Sequence, residues 1–265
     1  MSCGKYSIMG PVRIASLSPA ATEILFLLGR GKDIVCTDQF SNFPEETKTI
    51  PHLRDHQNVD IAEIKTHRPD LILTATVVQE KLAGMLKAAE LPVVHQDPRT
   101  LDAVYDSIKS LGIIVEKEKE SSEIVMKMKK EFDAVRHKAK IMGPKPKVYV
   151  EEWHLPPMAS GNWVPEVVAA AGGIAFPIKP GELSREVTLA EVQAFDPDVI
   201  VISWCGAGRL SDKNLVMKRE GWDSLRAVQN NHVRVIDDSL LNRPGPRLVE
   251  GAKMLYGWIF EMLHS

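Results

Sequence analysis

A short pattern that occurs twice constrains the fold of this chain more than any other feature. Residues Val59–Ile64 form a helical pattern, followed by Arg68–Leu73, where Pro-Asp precedes an apolar run. The same order, spacing and chemical types return in Val187–Val192 and Asp196–Val201. Agreement in all three respects indicates an internal duplication. The sequence therefore predicts two similar halves, each with a short helix that runs into a buried strand.

Both halves alternate short apolar runs with helical patterns, as expected for a parallel sheet covered by helices. In the first half, we predict strands at Val12–Leu17, Ile34–Thr37, Leu71–Thr74 and Val93–His95, and helices over Ala20–Leu28, Ile61–Thr66, Glu80–Ala89 and Leu101–Leu111. In the second half, we predict strands at Lys147–Glu151, Val199–Ser203 and Val233–Ile236, and helices over Val164–Ala171 and Leu248–Leu263. The fold class is therefore α/β.

A long charged segment separates the two halves. Residues Val115–Ile141 contain no Gly or Pro and place Ile124, Val125, Met128, Phe132 and Val135 on one helical face. Such a helix would span about 40 Å, so we favour a rigid connector over an ordinary surface helix. We predict an N-terminal lobe at 1–114, a connecting helix at 115–142 and a C-terminal lobe at 143–265. A ligand is then expected between the lobes, outside the carboxyl ends of the strands.

Composition and the chain terminus limit the class of protein. Lys and Arg number 33 against 35 Asp and Glu, a net charge of −2, which argues against a nucleic-acid-binding protein. No apolar run approaches the ~18 residues of a membrane helix. The cysteines Cys3, Cys36 and Cys205 form no C-x-x-C pair. The first residues, Met1–Tyr6, show no leader pattern, which predicts a cytoplasmic protein. The alternative is that a leader was removed and that Ser2-Cys3-Gly4 is the remnant of a lipoprotein cleavage site, which would give a periplasmic or lipid-anchored protein.

Aromatic side chains are concentrated in loops that follow the predicted strands. These loops are Asp38–Pro44, Trp153–Trp163 and Ser203–Gly208, and they carry three of the five tryptophans. Core packing is the commoner role of a tryptophan. Their joint placement after strand ends nevertheless favours a binding site for a large, flat, partly apolar ligand.

Metal-binding and catalytic patterns are missing from the sequence. His52 and His56 have i, i+4 spacing, but Pro51 beside them indicates a loop, and no further ligands are indicated. There is no G-x-S-x-G, H-E-x-x-H or P-loop, and no G-x-G-x-x-G after a strand. We therefore expect no metal site, no catalytic residues and no cofactor of the protein's own.

The segment Asn242–Arg247 holds two prolines between two arginines, just before a helix. A stiff cationic loop of this kind is suited to phosphate or carboxylate recognition. A capped loop with solvated arginines is the alternative, and the residues alone leave both interpretations open.

Several of these motifs together resemble the cobalamin-binding proteins of the class III substrate-binding superfamily, whose best-known member is the periplasmic vitamin-binding component of an ABC importer. The resemblance covers nearly the whole chain and is carried by Arg13–Glu23, Arg68–Ile72, Pro157–Glu166 with Gly172-Gly173, Gly221–Leu225 and Asn242–Arg247. The first two motifs are general to the superfamily, and the last ones resemble its cobalamin-binding branch.

The resemblance implies two α/β lobes joined by one long backbone helix, with the ligand between the lobes. Carried over by alignment, Phe40, Met158 and Arg243 take the places of a tyrosine, a phenylalanine and an arginine of the family's binding site. His56 and Thr74 stand where the periplasmic protein has tryptophans. From the loops in which they lie, Trp163 and Trp204 are candidates to replace those stacking contacts.

The resemblance also implies an importer partner, with one departure. Importer-linked members carry a glutamate on each lobe that pairs with arginines of the membrane subunits. Aligned on Pro69 and Pro197, these positions are Ala62 and Ala190 here, each followed directly by a glutamate. One residue along a helix turns a side chain by ~100°, so we predict that docking on a permease is altered or lost.

We therefore expect a non-enzymatic, monomeric binding protein for a corrinoid, cobalamin or a relative, serving uptake or intracellular carriage. The alternatives are a siderophore-binding or haem-binding protein of the same fold, and a chelatase-like tetrapyrrole enzyme that would use His56 or His154.

Overall fold

The computed structural model describes residues 12–264. The chain divides into two compact units: unit 1 extends to Pro98 and includes Ala103–Val125, and unit 2 comprises Arg99–Asp102 and Met126 onward. The division falls inside the long helix. The remnant of a cleavage site considered at Ser2-Cys3-Gly4 lies outside the described residues.

The first half contains a parallel sheet with helices between its strands. The strands are β1 (Ile14–Ser16), β2 (Ile34–Thr37), β3 (Leu71–Ala75) and β4 (Val93–Gln96). The helices are α1 (Pro19–Leu27), α2 (Ile61–Thr66), α3 (Glu80–Ala88) and α4 (Leu101–Ile114), followed by the long α5 (Glu118–Lys140). The sheet order is β2-β1-β3-β4, and each neighbouring pair is parallel. Ser18 caps α1 by accepting a hydrogen bond from the Ala21 backbone N–H at 3.3 Å.

The second half repeats this architecture with additions. Its strands are β5 (Lys147–His154), β6 (Pro157–Ala159), β7 (Ile174–Ala175), β8 (Arg185–Glu186), β9 (Val199–Ile202) and β10 (Val233–Val235). Its helices are α6 (Val164–Ala170), α7 (Leu189–Phe195), α8 (Lys213–Met217), α9 (Arg226–Gln229) and α10 (Leu248–His264). Strands β10, β9 and β5 are parallel, whereas β5 and β6 form an antiparallel hairpin. The predicted fold class, α/β with one long helix joining two similar halves, is confirmed.

The duplication extends to individual hydrogen bonds. In unit 1, Asp70 accepts the Arg13 N–H through its carboxylate at 2.9 Å and donates its own N–H to the Arg13 carbonyl at 2.8 Å. In unit 2, Asp198 makes the same two contacts with Lys147, both at 2.8 Å. The aspartate of each Pro-Asp pair therefore connects the start of the first strand of its half, β1 or β5, to the start of the strand after the short helix, β3 or β9.

Helix α5 is shorter than the predicted segment because the chain turns before it. Glu116 adopts a left-handed conformation (φ 55°) after α4, so residues 115–117 lie outside both helices. The predicted face is confirmed, since Val125, Met128, Phe132 and Val135 are buried. Among the residues from 12 to 264, no helix is both long and apolar enough to span a bilayer.

Candidate functional site

The carboxyl ends of β5, β9 and β10 lie at one edge of the unit 2 sheet, because these strands are parallel. Strand β5 ends three residues later than predicted, at His154, and this extension pairs with β6. Met158 of β6 lies opposite Trp153 of β5 in the hairpin. The sequence did not indicate the hairpin, because β6 is only three residues long.

A buried ion pair supports this edge. The Glu151 carboxylate is completely buried and accepts two hydrogen bonds from the Arg219 guanidinium, both at 2.8 Å. It also accepts the Tyr149 hydroxyl at 3.1 Å and the Trp204 indole N–H at 3.0 Å. Burial first, and the charge of Glu151 second, raise the pKa of Tyr149 well above its ordinary value. The guanidinium stacks 4.2 Å from the centre of the Trp222 ring, which explains the buried Trp in the Gly221–Leu225 motif.

Three rings form a row next to this ion pair, which Trp204 contacts through its indole N–H. The His154 ring centre lies 5.2 Å from that of Trp153 and 4.6 Å from that of Trp204. Trp153 is 40% exposed, and its indole N–H donates to the Leu155 carbonyl at 3.1 Å. The His154 ring is half-buried, and its Nδ1 is buried with no hydrogen-bond partner among the described residues. Because Trp204 is buried, the accessible part of this row consists of the Trp153 ring and the His154 imidazole.

The loop with the two arginines is tied to the same edge. Asn242 donates to the Ser203 carbonyl at 2.6 Å and to Cys205 Sγ at 3.2 Å, and it accepts the Ser203 hydroxyl at 3.0 Å. Burial would raise the pKa of Asp237, but hydrogen bonds from Ser239 and the charges of the two loop arginines lower it overall. The charges of both loop arginines therefore act on an acidic group, and the surroundings of the loop are not purely cationic.

The pKa values of two titratable groups at this edge are raised. Burial raises the pKa of Glu152, against the effect of a 2.5 Å hydrogen bond from the Ser184 hydroxyl. Burial, with the charges of Glu152 and Asp238, raises the pKa of Cys205 to about 12. The thiol is therefore a poor nucleophile at neutral pH, which fits a binding surface better than a catalytic one.

In unit 1, a chain of buried hydroxyl groups positions the loop that carries Phe40. The Thr22 hydroxyl bonds to that of Ser16 at 2.8 Å and to that of Ser41 at 2.9 Å. Asp38 then accepts the backbone N–H groups of Phe40 and Ser41 at 3.0 and 2.7 Å. This network accounts for the small polar residues of the Arg13–Glu23 motif, which connect the start of α1 to the loop after β2.

Phe40 and His56 meet in unit 1. Their rings are 4.8 Å apart and nearly perpendicular. Burial lowers the pKa of His56, with Asp55 acting in the opposite direction, so the imidazole is neutral at pH 7. Its Nδ1 is 4.0 Å from the Asp55 carboxylate, too far for a hydrogen bond.

Gln79 connects this loop to the sheet. Its amide donates to the carbonyls of Leu17 and His56 at 2.7 and 2.8 Å, and its oxygen accepts the Ala75 N–H at 2.8 Å. Sequence reasoning missed Gln79, since a lone glutamine in a polar turn carries no pattern. The positive φ of Thr76 (61°) beside it is visible only in the structure.

The predicted site residues are placed as follows. Phe40, His56, Met158 and Arg243 are partly exposed, whereas Thr74 is buried and bonded to His95 Nδ1 at 3.0 Å. Trp163 and Trp204 are only 3% and 4% exposed. Their indole N–H groups bond to the Leu241 carbonyl (2.7 Å) and to Glu151, respectively. Because so little of their surface is exposed, the structure assigns both tryptophans to the support of the loops rather than to direct stacking.

The two alanines at the docking positions are exposed near the starts of α2 and α7, in line with the duplication. The glutamates that follow them, Glu63 and Glu191, differ in their contacts. Glu191 accepts the Thr188 N–H in a capping box at 2.8 Å and pairs with Arg185 at 2.8 Å. Glu63 is exposed at the equivalent place on α2.

Comparisons with known proteins agree with this geometry. The sequence profile of the family described as "Periplasmic binding protein" matches residues 14–240. An uncharacterized ABC transporter substrate-binding lipoprotein of Bacillus subtilis is 28% identical over 92% of this chain and 79% of its own. A vitamin B12-binding protein of Vibrio cholerae is 26% identical over 92% of this chain and 87% of its own. A periplasmic heme-binding protein from Roseiflexus shares the fold, with a TM-score of 0.84, 23% identity and coverage of 96% of this chain and 100% of its own.

These findings correct the predicted location. The family profile is that of periplasmic proteins, and the relative in Bacillus subtilis is a lipoprotein. Both point to an extracytoplasmic location, so the prediction of a cytoplasmic protein is wrong. It relied on the first residues of the sequence, which carry no information about the family.

Members of this family bind small molecules for ABC importers, work with importer permeases and are not enzymes. The match covers most of the chain, and the two α/β units joined by a long helix agree with it. The chain therefore belongs to the periplasmic binding protein family, in the class III superfamily of ABC-importer substrate-binding proteins.

Proposed function

We propose that this protein binds a corrinoid, cobalamin or a close relative, and delivers it to an ABC importer. The observation that carries the proposal is the similarity to a vitamin B12-binding protein along nearly the whole chain. The motifs of the cobalamin-binding branch support it, because Pro157–Glu166 and Asn242–Arg247 contribute to the same edge of the unit 2 sheet.

The chemistry of that edge suits a corrinoid. A corrin ring is large and partly apolar, with amide groups around its rim. The exposed ring of Trp153 and the half-buried ring of His154 offer aromatic surface, and Arg243 offers hydrogen-bond donors for amides or a phosphate.

Haem is the second candidate. The observation that favours it is His56, whose imidazole is kept neutral by burial and can act as an iron ligand. The similarity to a heme-binding protein concerns the fold alone and does not separate the two ligands.

Calorimetric titration of the purified protein with cyanocobalamin, dicyanocobinamide, haemin and a ferric hydroxamate tests the proposal. We expect one-to-one binding of a corrinoid, weakened about tenfold or more by Arg243→Ala because charge-assisted hydrogen bonds are each worth ~1.5–3 kcal/mol.

Arg226→Ala is the matched control for this experiment. Arg226 pairs with Asp196 and Asp198 at the amino end of β9, on the opposite edge of the same sheet, so its loss should leave affinity unchanged. Tight haemin binding with no heat from either corrinoid would replace the proposal with the second candidate.

A further inference from the structure

We propose that His154 is a specificity-determining residue of unit 2, whose Nε2–H donates a hydrogen bond to a carbonyl oxygen of the ligand. This inference rests on the proposed function and deepens it. An amide of a corrinoid rim and a carboxylate of haem present the same acceptor chemistry, so the experiment below uses both.

The position of the ring is the first argument. His154 is the last residue of β5, at the carboxyl edge where ligands of open parallel sheets bind. The residue is half-buried and its Nδ1 is a buried atom, so we take Nε2, on the other side of the ring, as the nitrogen that a ligand can reach. A polar atom at the accessible side of an aromatic row can orient a flat ligand that the rings alone would hold loosely.

The surroundings of Nδ1 indicate which nitrogen carries the proton. A neutral imidazole has one N–H donor and one acceptor nitrogen. Nδ1 is buried without a hydrogen-bond partner among the described residues. A buried N–H without an acceptor costs ~1–3 kcal/mol, whereas an acceptor left unpaired is tolerated more often. The proton therefore lies on Nε2, where it is available as a donor.

His154 is restrained at its backbone and on both sides of its ring. The His154 carbonyl accepts a hydrogen bond from Arg219 at 3.3 Å, and Arg219 is itself fixed by two contacts to the buried Glu151. On either side, Trp204 is bonded to the same carboxylate, and Trp153 is bonded to the Leu155 carbonyl. A donor that is already oriented loses little entropy on binding, so its hydrogen bond contributes to affinity. Glu151 and Arg219 thus act as positioning residues for His154.

The experiment separates the donor from the ring. His154→Phe keeps an aromatic ring between the two tryptophans but removes the nitrogen, and His154→Ala removes both. With cyanocobalamin, we expect His154→Phe to weaken binding about tenfold, the effect of one lost hydrogen bond of ~1.4 kcal/mol. The matched control His232→Phe, at the residue before β10 on the opposite sheet edge, should bind within twofold of the wild type. Melting temperatures identify any variant that fails to fold.

The outcomes are distinct. If His154→Phe binds cyanocobalamin like the wild type, the donor role is wrong, even if His154→Ala binds weakly. If the wild type binds haemin but no corrinoid, the proposed function fails, and the same variants titrated with haemin test the donor. Nitrogen-15 NMR of the ligand-free protein adds a readout that needs no ligand: we expect the Nε2–H form of His154, and the Nδ1–H form would overturn the inference whichever ligand binds.

Discussion

The Glu151 carboxylate is the group in unit 2 whose loss we expect to destabilise the protein most. Glu151→Gln keeps the length of the side chain but places an NH₂ group against the donors of Arg219, Tyr149 or Trp204. It also leaves the guanidinium of Arg219, only 18% exposed, without its counter-charge. Removing one partner of a buried ion pair costs ~3–5 kcal/mol. Because Arg219 keeps some contact with water, we expect about 3 kcal/mol, at the lower end of that range.

For a chain of this size, that loss corresponds to a fall in melting temperature of about 6–12 °C. Calorimetry and urea denaturation measure it. The same substitution in an exposed pair, Glu45→Gln, is the control and should cost less than about 0.5 kcal/mol. Adding Arg219→Met to Glu151→Gln should restore part of the stability, because the unpaired charge is removed. A single variant as stable as the wild type, or a double variant no better than the single one, would refute this reasoning.

Two further predictions concern neighbouring groups. Burial raises the pKa of Glu152 above 4.5, so ionisation of this carboxyl lowers the free energy of unfolding as pH rises through the raised value. In urea denaturation, Glu152→Gln should therefore gain more stability over the wild type at pH 7 than at pH 4.5. An equal difference at both pH values would contradict the burial of the charge. Trp163→Phe leaves the buried Leu241 carbonyl without its donor and should cost ~1–3 kcal/mol of unfolding free energy. Trp153→Phe, the control on an exposed ring, should cost much less. Similar losses in both variants would argue against the buried hydrogen bond.

The arrangement of helices and strands followed from the sequence because it depends on local patterns. The buried face of α5 and the paired short helices α2 and α7 were predicted from residues close together in the chain. Short strands such as β2 and β9 were predicted from their apolar runs, whereas β6, β7 and α8 were not, because so few residues carry no periodicity. The structure divides the chain into two units inside α5, whereas the predicted limits treat this helix as a separate connector. The predicted limits of the lobes therefore stay predictions.

By itself, the sequence determined the α/β class, the duplication and the family, because each can be recognised from residue spacings and motifs without knowledge of the contacts. The tertiary structure alone decided the roles of the individual side chains. No local sequence pattern predicts that Glu151 pairs with Arg219, 68 residues away. Nor does any local pattern predict that the Trp204 indole bonds to that carboxylate rather than contacting a ligand. The physical reason is that a buried charge must find its partners wherever the fold brings them, and the desolvation that makes the contact strong exists only once distant segments have packed together.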